Sequence, residues 1–148
     1  MLKRNARGST RQRGLSMIEV LVAIVIISLG LLGMAGLQAA SLRGSQGAVY
    51  RSQAMQFAAD MAERMRGNLG DARNYAIALG DPVPTGTTVT DLDRADWLAR
   101  LATLPAGTGA IAVDTVNNVV SITVQWDDSR AGGDAQSQYT LVTRVWNN

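Results

Sequence analysis

The residues whose types and spacing suggest chemistry lie close together near the start, in Arg11-Gln12-Arg13-Gly14-Leu15-Ser16-Met17-Ile18-Glu19. A basic leader carrying Lys3, Arg4, Arg7, Arg11 and Arg13 runs up to Gly14, and an uncharged, mostly apolar run follows Glu19. An ordinary secretory signal is cut after its apolar region, whereas the candidate cut here precedes it. Cleavage after Gly14 would discard residues 1–14 and expose a new α-amino group on Leu15, with the Glu19 carboxylate at the fifth position of the shortened chain. A carboxylate at the centre of a membrane helix costs about 2.5–3.5 kcal/mol, and less near an end. Something should therefore neutralise Glu19. The Leu15 amine of an adjacent, staggered copy would do so and would lock the two helices into axial register. The amine of the same chain, the helix dipole, or an unpaired position at the membrane edge are the other solutions.

Elsewhere the sequence offers little to a catalyst. It has no histidine, and its one lysine is Lys3 in the leader, so His-based proton transfer and His metal sites are absent from it. It has no cysteine, which removes thiol chemistry and disulfides. The serines lack an activating partner, and the expectation is a non-enzymatic protein with no cofactor and no metal. Asp91, Asp93 and Asp96 begin like a calcium loop, but Asp96 and Ala102 stand where an EF-hand needs glycine and glutamate, so helix capping explains them better. Asp127, Asp128 and Asp134 surround a loop with Gly132 and Gly133; calcium is conceivable there, and a solvated turn is preferred. Trp97, Trp126 and Trp146 could stack on bases, but no basic groove accompanies them, and no nucleic acid is expected.

The elements that must position the leader junction follow from charge and hydropathy. Five of the fourteen basic residues precede Gly14 and all twelve acids follow it, so nine bases face twelve acids beyond the leader, a net charge of about −3. The five leader charges fit retention in the cytoplasm by the positive-inside rule, which sends the C-terminal part to the opposite side. Val20 to Leu42 supplies twenty-three uncharged residues, enough for the roughly 20 of a membrane-spanning helix, and a span at about 18–42 is expected. Gly30, Gly33 and Gly36 form a small-surfaced patch within it, suited to close helix packing or local unwinding, or simply typical of membrane helices. Ala39-Ala40-Ser41 would serve an ordinary signal peptidase, but the apolar run is too long for a signal core and starts with Glu19.

Beyond Leu42 the pattern turns amphipathic, with Met55, Ala58, Ala62, Met65 and Leu69 on one face, an Asp60–Arg64 pair at i, i+4, and Gly67 as a stop. A helix over 15–66 would be roughly 75 Å long. The head, 67–148, reads as a loop over 67–89 pinned by Tyr75, Ile77 and Leu79, then a short helix at about 91–104 capped by Thr90, then an antiparallel sheet at about 109–147 with a tight turn at Asn117-Asn118. In the helix Trp97, Leu98, Leu101 and Leu104 share a face. In the sheet the inward positions are Ile111 and Val113, then Val120, Ile122, Val124 and Trp126, then Tyr139, Leu141 and Val145. Without disulfides so small a head has a marginal core and must lean on the long helix and on neighbours.

Gly14-Leu15-Ser16-Met17-Ile18-Glu19-Val20-Leu21 resembles the class III signal shared by type IV prepilins and type II secretion pseudopilins. The resemblance implies cleavage between Gly14 and Leu15 by a prepilin peptidase, N-methylation of Leu15, a register role for Glu19, and packing of the apolar helix into a filament core. It also implies the α+β pilin plan, a long N-terminal helix against a small antiparallel head. Val20-Leu21-Val22-Ala23, Leu29-Gly30-Leu31-Leu32-Gly33-Met34 and Val124-Gln125-Trp126-Asp127-Asp128 look like the minor-pilin group called type IV pilus modification protein PilV. This narrower resemblance implies a minor pilin of the inner membrane, with its head in the periplasm, that helps initiate or assemble a type IV pilus. Its partners would be other minor pilins, the major pilin and a tip adhesin. A minor pseudopilin of a type II secretion system, a DNA-uptake pilin, and a membrane-anchored binding domain unrelated to filaments are the rival readings.

Overall fold

The computed structural model describes residues 16–145. In chain order they form helix α1 (Met17–Gly67), a 3-10 helix (Leu69–Tyr75), helix α2 (Val89–Leu101), strands β1 (Thr108–Asp114) and β2 (Val119–Trp126), a 3-10 turn (Ser129–Ala131) and strand β3 (Ser137–Arg144). This is the α+β pilin-like class expected from the sequence. The chain divides into a first unit ending at Ala39 and a second beginning at Ala40.

In the first unit, α1 opens with a side-chain cap: the backbone N–H of Glu19 donates to Ser16 Oγ at 3.3 Å, so a serine oxygen satisfies one of the donors that a helix start leaves unpaired. The residues that follow are apolar on every side, and the most apolar 18-residue window is wholly uncovered. By length and composition the helix suffices to cross a membrane.

In the second unit the core forms between the later part of α1, α2 and the sheet. Ala54, Ala58, Met61, Ala62 and Met65 supply the buried stripe of α1. The stripe is rotated from the expected one, since Met55 and Leu69 are 42% and 53% exposed. The reason is geometric: Ala54, Ala58, Met61 and Met65 follow the i, i+4, i+7, i+11 series of one helix face, whereas Met55 lies one residue round and Leu69 falls beyond the end of α1 at Gly67. Opposite them the sheet runs β1-β2-β3, antiparallel throughout, with β2 central. Its inward residues Val120, Ile122, Val124 and Trp126 are buried, as their alternation predicts. Ile111 and Val145 join them, and Val113, Tyr139 and Leu141 pack partly buried at the edge.

The connections differ from expectation where a side chain takes over from the backbone. Four residues, not two, join β1 to β2, and of these only Asn118 has positive φ, at 55°. The Asp114 carboxylate accepts from the N–H groups of Val116 and Asn117 at 2.9 and 3.0 Å, which organises the longer loop. Helix α2 starts at Val89 rather than 91 because its cap is Thr88, not Thr90: Thr88 Oγ1 accepts from the Asp91 N–H at 3.1 Å and donates to the Asp91 carboxylate at 2.6 Å. Thr90 is buried in the first turn instead. The helix ends at Leu101, yet Leu104 beyond it still reaches the core. Between the helices, Tyr75 and Ile77 do anchor the connecting segment, and Ile77 forms a bridge to Ile111 with N–H···O distances of 3.1 and 2.8 Å, while Leu79 stays exposed.

A polar cluster clamps α2 to α1. Arg64 meets Asp60 at 3.0 Å, the expected i, i+4 pair, and also Asp93 at 3.2 Å and Asp96 at 2.6 Å from α2. Asp93 accepts a further hydrogen bond from the Tyr75 hydroxyl at 2.5 Å, and the Trp97 indole N–H donates to the Phe57 carbonyl on α1 at 3.0 Å. Asp93 and Asp96 are thus ion-pair partners rather than helix-capping residues. Burial pulls the Arg64 guanidinium down, but the bond to Asp96 and the charge of Asp60 outweigh it and hold the group above the ordinary arginine value. Replacing Arg64 with methionine takes the shared guanidinium from three carboxylates, leaving Asp60 and Asp96 with Arg100 and Asp93 with the Tyr75 hydroxyl. The expected loss is about 1–3 kcal/mol, below that of breaking a fully buried pair because solvent and Arg100 screen the cluster; thermal unfolding of the detergent-solubilised chain measures it.

Tyr75 makes the same cluster sensitive to alkali. Burial, then the hydrogen bond to Asp93, raise its phenol above the ordinary tyrosine value of 10.0. The folded state therefore favours the neutral phenol: its stability is complete below pH 10 and falls as pH rises toward the folded value. Tyr75→Phe should lose about 1.5–3 kcal/mol at neutral pH, the scale of a hydrogen bond to a charged group. It should also flatten the alkaline decline in melting temperature, and an unchanged decline would show that another group titrates.

Candidate assembly site

Gly14 and Leu15, the expected cleavage pair and methylation site, lie outside the described residues. Glu19 sits in the first turn of α1, three residues after its cap and exposed, with an acidic charge at the positive end of the helix dipole. Among the described residues it has no ion-pair partner, so its carboxylate is open to an amine from elsewhere. Further along, Ser28 Oγ donates to the Ile24 carbonyl at 2.7 Å, which satisfies the hydroxyl within the helix. Gly30, Gly33 and Gly36 are all helical, and a Cβ added at any of them would meet nothing within 4 Å. They leave shallow notches on a surface flanked by exposed Leu29, Leu31, Leu32, Met34 and Leu37.

The other residues singled out by the sequence are distributed differently. Asp91 bonds to Thr88 and then Arg94, which hold its carboxyl below the usual range, while Asp93 and Asp96 belong to Arg64. These three acids do not converge, and among the described residues no group of three His, Cys, Asp or Glu comes together as a metal would require. Trp97 and Trp126 are core residues and present no face for base stacking; Trp146 lies outside the described residues.

The 127–138 loop is closed by backbone hydrogen bonds. The Asp127 N–H donates to the Pro105 carbonyl at 2.7 Å, the Asp128 N–H to the Asp134 carbonyl at 3.0 Å, and the Gly133 N–H to the Asp128 carbonyl at 2.9 Å. The Ser129 backbone N–H donates to Asp127 Oδ1 at 2.9 Å, and bonding to Ser129 is the main cause of the lowered pKa of Asp127. Asp128 instead lies along α1 beside Gly47. The Arg64 cluster and this placement of Asp128 were not legible beforehand, because each joins residues far apart in sequence and neither leaves a periodic signal.

Two family models match the chain end to end along α1. Residues 9–35 match the prokaryotic N-terminal methylation motif, and residues 36–95 match the type IV pilin Tt1218. A search of curated proteins and a search of solved structures each returned no match. The first model spans the leader junction and the apolar helix that follow the prepilin pattern; the second takes in the buried stripe of α1 and the start of α2. Pilins of this kind are structural proteins, processed by a prepilin peptidase and assembled with other pilins. A methylation motif running into a pilin domain, on a long apolar helix that continues into a small antiparallel head, places this chain in the type IV pilin family.

Proposed function

We propose that the protein is a minor pilin that takes part in initiating or assembling a type IV pilus with other minor pilins and the major pilin. The observation that carries this reading is the uncovered apolar part of α1, which starts at a capped turn holding Glu19 and which no other described part of the chain buries. Removal of residues 1–14 by prepilin peptidase and N-methylation of Leu15 would place an amine next to that helix start. Glu19 then pairs with the amine of a neighbouring subunit and sets axial register. Gly30, Gly33 and Gly36 allow close approach of neighbouring helices or local unwinding. The five leader charges support an inner-membrane anchor with the head in the periplasm before assembly.

The minor role is supported by the resemblance of the 20–34 and 124–128 segments to the PilV modification group. A head that lacks any disulfide to close the 127–138 loop departs from many major pilins. A minor pseudopilin of a type II secretion system uses the same site chemistry, and genomic neighbourhood separates the two. Quantitative mass spectrometry of sheared pili is expected to find this chain at a small fraction of a second pilin. A filament built mainly of this chain would refute the minor role.

The site itself yields two tests. A bulky residue in place of Gly14 should leave the leader attached, seen as an unshortened N-terminus in the mass of the membrane-extracted protein, while Gly14→Ala is processed at least partly. Glu19→Ala should be cleaved normally yet enter filaments poorly. A charge-assisted pairing of about 1.5–3 kcal/mol corresponds to a loss on the order of tenfold or more, and normal incorporation would remove Glu19 from the register role.

A further inference from the structure

The sheet has two edges, β1 and β3, and the chain treats them differently. On the outer side of β1, Ile77 bridges to Ile111 in both directions, with N–H···O distances of 3.1 and 2.8 Å. Both main-chain groups of Ile111 therefore turn away from β2, which makes Ile111 and Ile122 a pair without hydrogen bonds in the β1–β2 ladder. Alternation settles the other side. Ile122 bonds instead to Leu141 of β3, so Gln138, Thr140 and Val142 direct their N–H and C=O groups to the outer side of β3. These groups have no partner among the described residues. Only at the far end does α1 reach this edge, where Arg66 donates to the Arg144 carbonyl at 3.4 Å.

Natural sheet edges are blunted by proline, lysine, a bulge or a covering segment, because a row of unpaired main-chain groups templates another strand. The free edge has none of these. Strand β3 contains no proline, lysine or glycine, and it pairs with β2 residue for residue from Ser137 to Arg144 without a bulge. On its core face Tyr139 and Leu141 are only partly buried, so a further strand would complete their cover. The one charge in β3 is the exposed Arg144, whose guanidinium has no ion-pair partner among the described residues. A segment that fits this edge runs extended, sets apolar side chains beside Tyr139 and Leu141, and brings a carboxylate to Arg144. A second β3 fails the last requirement, since the strand holds no acid.

We propose that the free edge of β3 receives an extended segment from the head of another pilin, one with alternating apolar residues and an acid, which adds a fourth strand to the sheet. The proposal rests on the reading of this chain as a subunit that assembles with other pilins. Main-chain hydrogen bonds supply the attraction, while Tyr139, Leu141 and Arg144 choose the partner. The edge of β1 is already occupied at its middle by Ile77, so the sheet gains a strand on one side only. Such a contact does not repeat from copy to copy, which suits a subunit present in small numbers.

Proline at an outward position blocks an added strand without removing a β2–β3 hydrogen bond, and Val142 is such a position, 61% exposed. Val142→Pro in the full chain should keep the melting temperature of the detergent-solubilised protein and its N-terminal mass. Its amount in sheared pili should fall on the order of tenfold or more, the scale of leaving a carbonyl of the incoming strand unmet. Val142→Thr, which retains the N–H, should enter normally. In the otherwise unchanged chain, the photo-crosslinker p-benzoylphenylalanine in place of Gln138 should attach to another pilin in assembled pili, and Arg144→Gln should weaken that product. Normal entry of a folded Val142→Pro overturns the proposal. Should that variant not fold, the cross-link decides: no product, or a product with a second copy of this chain or with a protein other than a pilin, overturns it. Absence of the unsubstituted chain from pili refutes the assembly reading itself, a failure seen without any variant.

Discussion

One helix has to serve two solvents, and the rest of the molecule follows from that constraint. The early part of α1 is apolar on every side and no described part of the chain covers it, so it is compatible with a bilayer or with the helices of other subunits but not with water. The later part is amphipathic and carries the head. The change occurs without a break in the helix, between Leu42 and the first core contact at Tyr50, through a stretch in which Arg43, Gly44 and Gly47 replace the aliphatic run. A type IV pilin needs this division, because the same helix anchors the subunit before assembly and packs among its neighbours afterwards.

The head must then be held to the helix by side chains alone. Its three strands and one short helix give a small core, and no covalent bond closes it. Alanines on α1 bring the sheet close, while Trp97, Trp126 and Tyr75 supply the bulk. Polar contacts hold the rim. Arg64 draws α2 onto α1, and Arg66 reaches across to Thr143 on β3 at 2.8 Å. Arg64 and Arg66, two residues apart and so about 200° apart around the helix, therefore bind the two opposite flanks of the head. Arg64 was legible as the i, i+4 partner of Asp60; the reach of the two arginines to residues 29 and 77 positions away gives them a larger role.

What was legible beforehand divides along the same line. The period-2 alternation of Val120 to Trp126 identified the buried face of β2 residue by residue, because a strand's two faces are fixed by its pleat. The apolar run and the Asp60–Arg64 pair were equally readable, since each depends on near neighbours. The buried face of α1 was displaced because Met55 and Ala54 differ by only one helical step, and a small alanine at the contact carries less hydrophobic signal than the methionine beside it. Thr88 and Thr90 are both chemically good caps, and the choice between them was made by packing, which buried Thr90. The assembly site was legible as a motif, Gly14 to Leu21, while the partners of its charge lie beyond what one chain folds.

The acids state the rule most clearly. Asp91, Asp114 and Asp127 each find donors within three residues, and each is held below the usual carboxylate range by hydrogen bonding. Asp93 finds its donors only through the tertiary fold, while Asp96 pairs both with Arg64 across it and with Arg100 four residues on. Asp128 is adjacent to Asp127 and has the same side chain, yet its Oδ1 is buried with no donor among the described residues, because Gly47 and Gly133 let it lie against α1 rather than turn back on its own loop. Glu19, in the first turn of α1, is capped through its backbone N–H and has no ion-pair partner among the described residues for its carboxylate. Local turns supply the donors for one set of acids and tertiary packing for another.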